Sequence, residues 1–318
     1  MSSPTGRLAP SPTGLLHLGH ARSFLLAWWS VRSRGGRFVL RMEDLDHTRV
    51  RPGMADAVLR DLEWLGLDWD GEVAWQSQRL PLYRAALAQL EREGHVYACV
   101  CTRKEIELAL SAPHLDDGAQ RYPGTCAGRF ASAGAARART GRAPAMRFRV
   151  PGPPGGTVHW TDEVLGPVAT DVFAEVGDFP VFGRDGFPAY QLAVVVDDAD
   201  QGVDEVLRGA DLASSTGRQA LLQAALGLRR PRWVHVPLVT DAGGRRLAKR
   251  SDDLALARLR ELGADPRALV QWAAQSCGLE APEPLTAREA LAGFALDRLP
   301  REPVRLDLEA LPTVRSLR

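Results

Sequence analysis

Arg7-Leu8-Ala9-Pro10-Ser11-Pro12-Thr13-Gly14-Leu15-Leu16-His17-Leu18-Gly19-His20 joins a strand exit, rigid turns, two histidines and a glycine in front of a helix. Residues 5–9 have the length of a short strand, and Pro10 and Pro12 forbid its continuation inside a sheet, so the chain turns there. From Leu18 onward, Phe24, Leu25, Trp28 and Trp29 recur at helical spacing, which puts His17 to His20 near a helix N-terminus. Backbone N–H groups, a positive dipole end and two imidazoles then lie together, an arrangement that suits a polyphosphate. Alone, His-x-Gly-His is a short pattern that a proline-rich turn with two surface histidines explains equally well.

The segments that follow supply the context. Residues 37–44 form a strand ending in carboxylates, so residues 5–43 have the β-α-β rhythm of a parallel sheet, whose ligands bind beyond the carboxyl ends of the strands. Glu43, Asp44 and Asp46 are therefore expected on the same crevice as His17 and His20. Residues 55–65 and 82–91 carry apolar side chains three and four apart and read as core-facing amphipathic helices. From residue 95 to 187 the rhythm breaks. Residues 97–101 are strand-like, 104–110 helical, and 118–144 rich in Gly, Ala, Pro and Arg without periodicity; short strands are expected at 158–160, 168–173 and 179–181.

The parallel-sheet pattern resumes with the strongly apolar run 191–196, a helix over 214–226 capped by Ser214 or Ser215, and a strand over 233–239. Helices follow at 254–261 and 266–277, then a proline-containing tail. The expected organisation is an α/β protein. Residues 1–95 and 188–253 form the two halves of a Rossmann-like parallel sheet, 96–187 an inserted α+β module, and 254–318 a short helical region.

Composition agrees with a globular protein of 318 residues, 45% hydrophobic and 25% charged. No apolar run approaches the roughly 18 residues needed to cross a bilayer, and residues 1–9 lack a secretory pattern, so a cytoplasmic protein that binds no membrane is expected. A net charge of +1 excludes little, but it hides a surplus of arginine over lysine.

Three of the four cysteines, Cys99, Cys101 and Cys126, fall within 28 positions, whereas Cys277 lies on an apolar helix and reads as core. Cys-x-Cys projects two thiols from a tight segment, and a third arriving from the Pro123-Gly124 turn completes most of a tetrahedral zinc site. Tyr122, His114, Asp116, Asp117 and His95 all offer a fourth ligand. Three reduced, half-buried cysteines are the alternative. A third candidate is the loop Gly243-Gly244-Arg245-Arg246-Leu247-Ala248-Lys249-Arg250-Ser251. Its glycines give mobility and its four cations attract phosphate, although such loops are commonly solvated turns.

These three sites, in this order, resemble the class I aminoacyl-tRNA synthetases, and within them the glutamyl-tRNA synthetase group. Residues 7–22 are similar to that group's N-terminal signature with its HIGH element, Arg41-Met42-Glu43-Asp44-Leu45-Asp46 to its next block, and Arg246-Leu247-Ala248-Lys249-Arg250 to the KMSKS loop. In that loop Arg246 stands for the first lysine and Ala248 for a serine, while Lys249 matches the second lysine. The Cys99, Cys101, Tyr122 and Cys126 pattern, with residues 190–198 and 206–212, narrows the resemblance to the glutamyl-Q tRNA(Asp) synthetase branch. Only 67 residues follow Ser251, too few for the group's usual anticodon-binding domains.

The resemblance implies a ligase that activates L-glutamate with ATP and Mg²⁺ and attaches it to the queuosine base of tRNA(Asp), acting as a monomer. It implies glutamate contacts from Arg7, Leu8, Ala9, Pro10, Ser11, Glu43, Tyr190 and Arg208. ATP contacts are implied for His17, Gly19, His20, Arg246 and Lys249, with His17, His20 and Lys249 catalytic, and one structural Zn²⁺ on Cys99, Cys101, Tyr122 and Cys126. Alternatives are a truncated glutamyl-tRNA synthetase charging a tRNA 3′ end and a catalytically silent tRNA-binding paralogue.

Overall fold

Residues 3–110, 121–241, 243–244 and 255–306 are described by the structure, a computed structural model. Strand β1 (Thr5–Leu8) leads through the proline turn into α1 (Leu18–Arg32), and β2 (Arg37–Met42) returns parallel to β1. Helix α2 (Met54–Trp64), the short strand β3 (Ala74–Trp75) beside β2, and helix α3 (Leu80–Arg92) follow. Helix α1 is apolar on nearly every side because it lies between the sheet and the C-terminal helices; Leu25, Leu26, Trp28 and Trp29 are all buried. Its one buried cation, Arg22, donates from Nε to Ser276 Oγ (2.7 Å) and from Nη1 to the Pro237 carbonyl (2.8 Å), tying α1 to the later parts of the chain.

The inserted region begins with β4 (Val96–Cys99) and helices α4 (Arg103–Leu110) and α5 (Ala133–Thr140), then β5 (Ala145–Phe148). The strands β6 (Thr157–Asp162) and β7 (Gly166–Asp171), a short helix α6 (Val172–Glu175) and β8 (Phe179–Phe182) complete it. Strand pairing divides residues 96–187 between two sheets. Strands β4, β5 and β8 form an antiparallel sheet of their own, whereas the β6–β7 hairpin joins the main sheet, with β6 parallel to β10 (Arg232–Val236). Alternation along a strand reveals which face is buried but not which strand it pairs with.

Two further expectations are corrected. The apolar run 191–196 is not a strand but the core of helix α7 (Tyr190–Asp200), buried on so many sides that it has no polar stripe to betray its period. The sheet resumes instead at β9 (Glu205–Gly209), parallel to β10. Nor does a serine cap helix α8 (Ala213–Leu226). Its N-cap is Leu212, and Ser215 Oγ accepts from Gln191 Nε2 (3.0 Å) and Arg218 Nη2 (3.1 Å). After β11 (Val239–Thr240) come α9 (Leu256–Glu261) and α10 (Pro266–Gln275), the latter capped by Asp265 with Pro266 at its first turn. The segment after α10 carries short 3₁₀ turns and ends, within the described residues, in β12 (Val304–Arg305) beside β11.

The main sheet thus runs β3-β2-β1 and β9-β10-β6-β7, with only β7 antiparallel. Strand β1 lies alongside β9, where the Asp204 N–H donates to the Thr5 carbonyl (3.0 Å). Strand order reverses there, which opens a crevice beyond the carboxyl ends of β1, β2 and β9.

Close approach at the start of β2 leaves no room for a side chain at Gly36, where a Cβ would stand 2.3 Å from the Pro4 carbonyl oxygen and 2.7 Å from Val31. That carbonyl accepts the Arg37 N–H, so it cannot retreat without loosening the entry to β1. Gly36→Ala is expected to cost about 1–3 kcal/mol and lower the thermal midpoint by roughly 1–5 °C. Calorimetry checks this, and an unchanged midpoint would contradict it.

Candidate active site

A cavity of about 790 Å³ occupies the crevice. Leu8, Ala9, Pro10 and Ser11 line it from the exit of β1, His17, Gly19 and His20 from the head of α1, Glu43 from the end of β2, Tyr190 from the head of α7 and Arg208 from β9. The Glu43 N–H donates to the Pro10 carbonyl (2.9 Å), so the proline turn and the carboxyl end of β2 are one rigid edge.

His17 is the N-cap of α1, its Nδ1 accepting from the Gly19 N–H (3.1 Å), while His20 Nδ1 accepts from the His17 N–H (3.2 Å). The rings stack with centroids 3.7 Å apart. With Nδ1 an acceptor in both, each neutral ring carries its proton on Nε2. A Cβ at Gly19 would crowd the His17 ring at 3.1–3.2 Å. Ala255 forms a β-bridge with His17, and the Leu256 N–H donates to the Leu16 carbonyl (2.8 Å), so the C-terminal region braces the same turn.

The floor of the cavity is charged and buried. Arg7 and Arg208 are each 6% exposed. Arg7 Nε stands 3.5 Å from Asp198 Oδ1, and its Nη1 donates to the Leu207 carbonyl (3.3 Å). Arg208 donates from Nε to His235 Nε2 and from Nη2 to Thr216 Oγ1, both at 3.0 Å, while its buried Nη1 has no hydrogen-bond partner. Fully buried Arg41 meets Asp198 (2.8 Å), Glu43 (3.3 Å) and Asp197 (3.5 Å). Asp197 in turn accepts from Gln76 Nε2 (2.7 Å), Arg79 Nε (2.7 Å) and the Tyr83 hydroxyl (2.9 Å). Against the desolvation that burial imposes, the carboxylates of Asp198, Glu43 and Asp197 hold Arg41 above its ordinary pKa. Burial raises the pKa of Glu43, with Arg41 and Arg7 opposing, and burial likewise raises that of the Tyr190 phenol.

A rigid pocket with a histidine-capped helix at one end and a lattice of arginines and carboxylates at the other is built for a small zwitterion beside a phosphate. The family profile described as the catalytic domain of class I (E and Q) tRNA synthetases matches residues 5–291. The chain belongs to this family. It is 45% identical over 317 residues to the glutamyl-Q tRNA(Asp) synthetase of Symbiobacterium thermophilum, covering 96% of this chain and 97% of that one. It is 48% identical over 299 residues to the protein of the same name from Nocardia farcinica, covering 94% and 91%. In fold it is similar to a glutamate tRNA ligase from Elizabethkingia meningosepticum crystallised in complex with its amino acid, with a TM-score of 0.85 at 24% identity. That match covers 99% of this chain and 69% of that one.

In this synthetase the Cys99, Cys101 and Cys126 sulfurs lie within 4.8 Å of one another, close enough to hold a metal ion. The Tyr122 hydroxyl stands 3.3 Å from Cys99 Sγ and 3.5 Å from Cys101 Sγ, and Cys101 and Cys126 are 3.4 Å apart. Tetrahedral zinc with Zn–S near 2.3 Å sets sulfurs roughly 3.8 Å apart, a spacing that the 3.4 Å Cys101–Cys126 separation approaches and that lies inside the 4.8 Å bound on the set. His95 is engaged elsewhere, 3.7 Å from Glu93 and stacked on Phe148. His114, Asp116 and Asp117 lie outside the described residues, as do Arg246, Ala248 and Lys249 of the basic loop. Cys277 is core, its Sγ donating to the Ala274 carbonyl (3.0 Å) and its thiol pushed up to about 11 by burial.

Of the three carboxylates expected at the crevice, Glu43 and Asp46 line it, whereas both oxygens of Asp44 accept from Ser77. Asp162 and His235 stand in no motif of the sequence, and Asp197 and Asp198 stand in one that gives them no role. Two aspartates closing a long apolar run, and an arginine in the middle of an apolar strand, were the available signals for the Arg41 network. No helix among the described residues is long and apolar enough to cross a membrane.

Proposed function

We propose that this synthetase activates L-glutamate as glutamyl-adenylate and transfers the glutamyl group to the queuosine base in the anticodon of tRNA(Asp). The observation that carries this reading is the pocket wall itself: a buried Arg208 with one unpartnered nitrogen, beside Arg7 and Glu43, in a chain whose relatives bear the name glutamyl-Q tRNA(Asp) synthetase. Glutamate brings two carboxylates and an ammonium. In this reading Arg7 and Arg208 take the carboxylates and Glu43 the ammonium. The backbone of Leu8, Ala9 and Pro10 and the Ser11 hydroxyl orient the amino acid, and the Tyr190 phenol covers it.

A glutamate carboxylate oxygen attacks the α-phosphorus of ATP, a P–O bond to the β-phosphate breaks, and pyrophosphate leaves. No residue of the chain is modified. The Nε2–H groups of His17 and His20, the head of α1 at Gly19, and Arg246 and Lys249 of the basic loop offset the charge that grows on the phosphates, with Mg²⁺ accompanying ATP. A hydroxyl of the queuosine cyclopentene ring then attacks the activated carbonyl, and AMP leaves with the bonding pair. Zinc on Cys99, Cys101, Tyr122 and Cys126 is structural in this reading, since none of the four lines the cavity.

Glutamate-dependent exchange of pyrophosphate into ATP is expected without tRNA, followed by transfer to queuosine-bearing tRNA(Asp) and none above background to queuosine-free tRNA(Asp). Exchange only in the presence of tRNA would point to conventional 3′-end charging. No exchange under any condition would leave a binding protein, and equal transfer to queuosine-free tRNA would overturn the modified-base assignment.

A further inference from the structure

Behind Arg208 stands a polar chain that neither reaction step uses. Arg208 on β9, His235 on β10 and Asp162 at the end of β6 occupy three neighbouring parallel strands. The side chains of His235 and Asp162 are fully buried. His235 Nδ1 lies 2.7 Å from Asp162 Oδ2, which also accepts the His235 backbone N–H (3.1 Å). Asp162 Oδ1 accepts the Val164 and Leu165 N–H groups, both at 3.0 Å, so the carboxylate is clamped from the turn after β6. On the far side of the ring, Arg208 Nε donates to His235 Nε2 (3.0 Å).

An arginine Nε–H can only donate, so His235 Nε2 must present a lone pair, and the single ring proton sits on Nδ1 facing Asp162. Burial favours this neutral ring, shifting the imidazole below its ordinary pKa. The ring is held edge-on by Trp160 and stacked against Trp233, whose indole also lies under the Arg208 guanidinium at 4.9 Å. With Nε committed to His235 and Nη2 to Thr216 Oγ1, the guanidinium plane is fixed, and Nη1 is the nitrogen without a hydrogen bond, with the Tyr190 phenol the neighbour that interacts with the guanidinium electrostatically.

We propose that Asp162 and His235 are positioning residues for glutamate: Asp162 sets the tautomer of His235, and His235 locks Arg208 so that Nη1 meets a substrate carboxylate. This rests on the assignment of Arg208 to glutamate made above. It carries a pH signature. The charged groups facing the ring are Asp162 from β6, Arg208 from β9 and Arg7 from β1, with Thr216 of α8 3.4 Å from Nε2. Protonating Nε2 would oppose two N–H donors and add a cation beside two arginines, so Arg208 would swing out of place as the pH falls below the ordinary histidine range.

The test is glutamate-dependent pyrophosphate exchange with the full chain, comparing His235→Phe with His235→Gln, whose side-chain oxygen can occupy the place of Nε2. His235→Phe is expected to raise the glutamate KM about tenfold to a hundredfold while leaving the ATP KM nearly unchanged. His235→Gln should restore most of the glutamate affinity and abolish its acid-side loss. Nitrogen-15 spectra of the unmutated protein, which need no variant to fold, should show His235 as the Nδ1–H tautomer at about pH 7.5. An Nε2–H tautomer, an unchanged glutamate KM in His235→Phe, or an equal rise in both KM values would overturn the proposal. Arg208→Ala separates the layers. If it spares glutamate, the pocket assignment itself falls, whereas a glutamate defect in Arg208→Ala alone removes only the positioning role.

Discussion

Arg208→Ala is expected to raise the glutamate KM in pyrophosphate exchange by about two to three orders of magnitude and to leave the ATP KM almost where it was. The size follows from burial. In water a carboxylate–guanidinium pair contributes little, but Arg208 is 6% exposed on the wall of the crevice, and the carboxylate assigned to it surrenders hydration on entry. Removing the cation leaves that carboxylate desolvated and unpaired, at a cost of about 3–4 kcal/mol. The selectivity follows from geometry. Arg208 enters from β9, whereas the histidine-capped head of α1 lies at the end of the cavity assigned to ATP.

Arg208→Lys should recover only part of the loss. Lysine restores a charge but not a planar fork whose Nε and Nη2 are held by His235 and Thr216. Steady-state exchange with each substrate varied in turn measures both constants. An equal rise in the two would mean that the substitution had damaged the pocket as a whole and that Arg208 has no particular claim on glutamate.

How far the site could be read from the chain depends on how locally each part is encoded. The proline turn and the head of α1 were legible because prolines, a glycine and a helical stripe all act within a few residues, and Arg7, Ser11, His17, His20 and Glu43 do line one cavity. The three clustered cysteines are local too, and the fold brings their sulfurs together with the Tyr122 hydroxyl. Helix α7 and strand β9 were not legible. A run such as Gln191–Val196, buried on most sides, has no amphipathic period to measure, and β9 is five residues long with charges at two of them. The Asp162–His235–Arg208 chain is encoded only by strand order. Its members are separated by 73 and 27 positions, and nothing along the sequence announces that β6, β10 and β9 will lie side by side.

Removing the metal ligands should act on stability rather than on the chemistry. Purified synthetase is expected to contain about one zinc per chain, and Cys126→Ser to lose it. The donors come from the end of β4 (Cys99), the residue two beyond it (Cys101), and a turn that bears Tyr122 and Cys126, so a bound ion would pin that turn to the antiparallel sheet. Burial pushes the Cys101 thiol up to about 11 and raises the Tyr122 phenol above its ordinary value, whereas hydrogen bonds, against the desolvation that burial imposes, hold the Cys126 thiol below its own. A bound dication would favour the ionised form of all four donors, and Arg147 would offset the excess of anions, its Nε 3.3 Å from Cys99 Sγ and its guanidinium over the Tyr122 ring at 3.9 Å.

Because Tyr97, Met146, Phe148 and Phe179 give this sheet apolar packing of its own, the loss should fall well short of the roughly 10 kcal/mol seen where zinc alone holds a small domain. A cost of about 3 kcal/mol would lower the thermal midpoint by roughly 4–5 °C. Tyr122→Phe isolates the fourth ligand, since it keeps the ring beneath Arg147 and deletes only the oxygen. It should surrender zinc to a competing chelator at lower concentration than the unmutated chain does. Equal retention would exclude the phenol as a ligand, and protein purified without chelators that contained no zinc would reduce the cluster to three buried thiols beside a tyrosine.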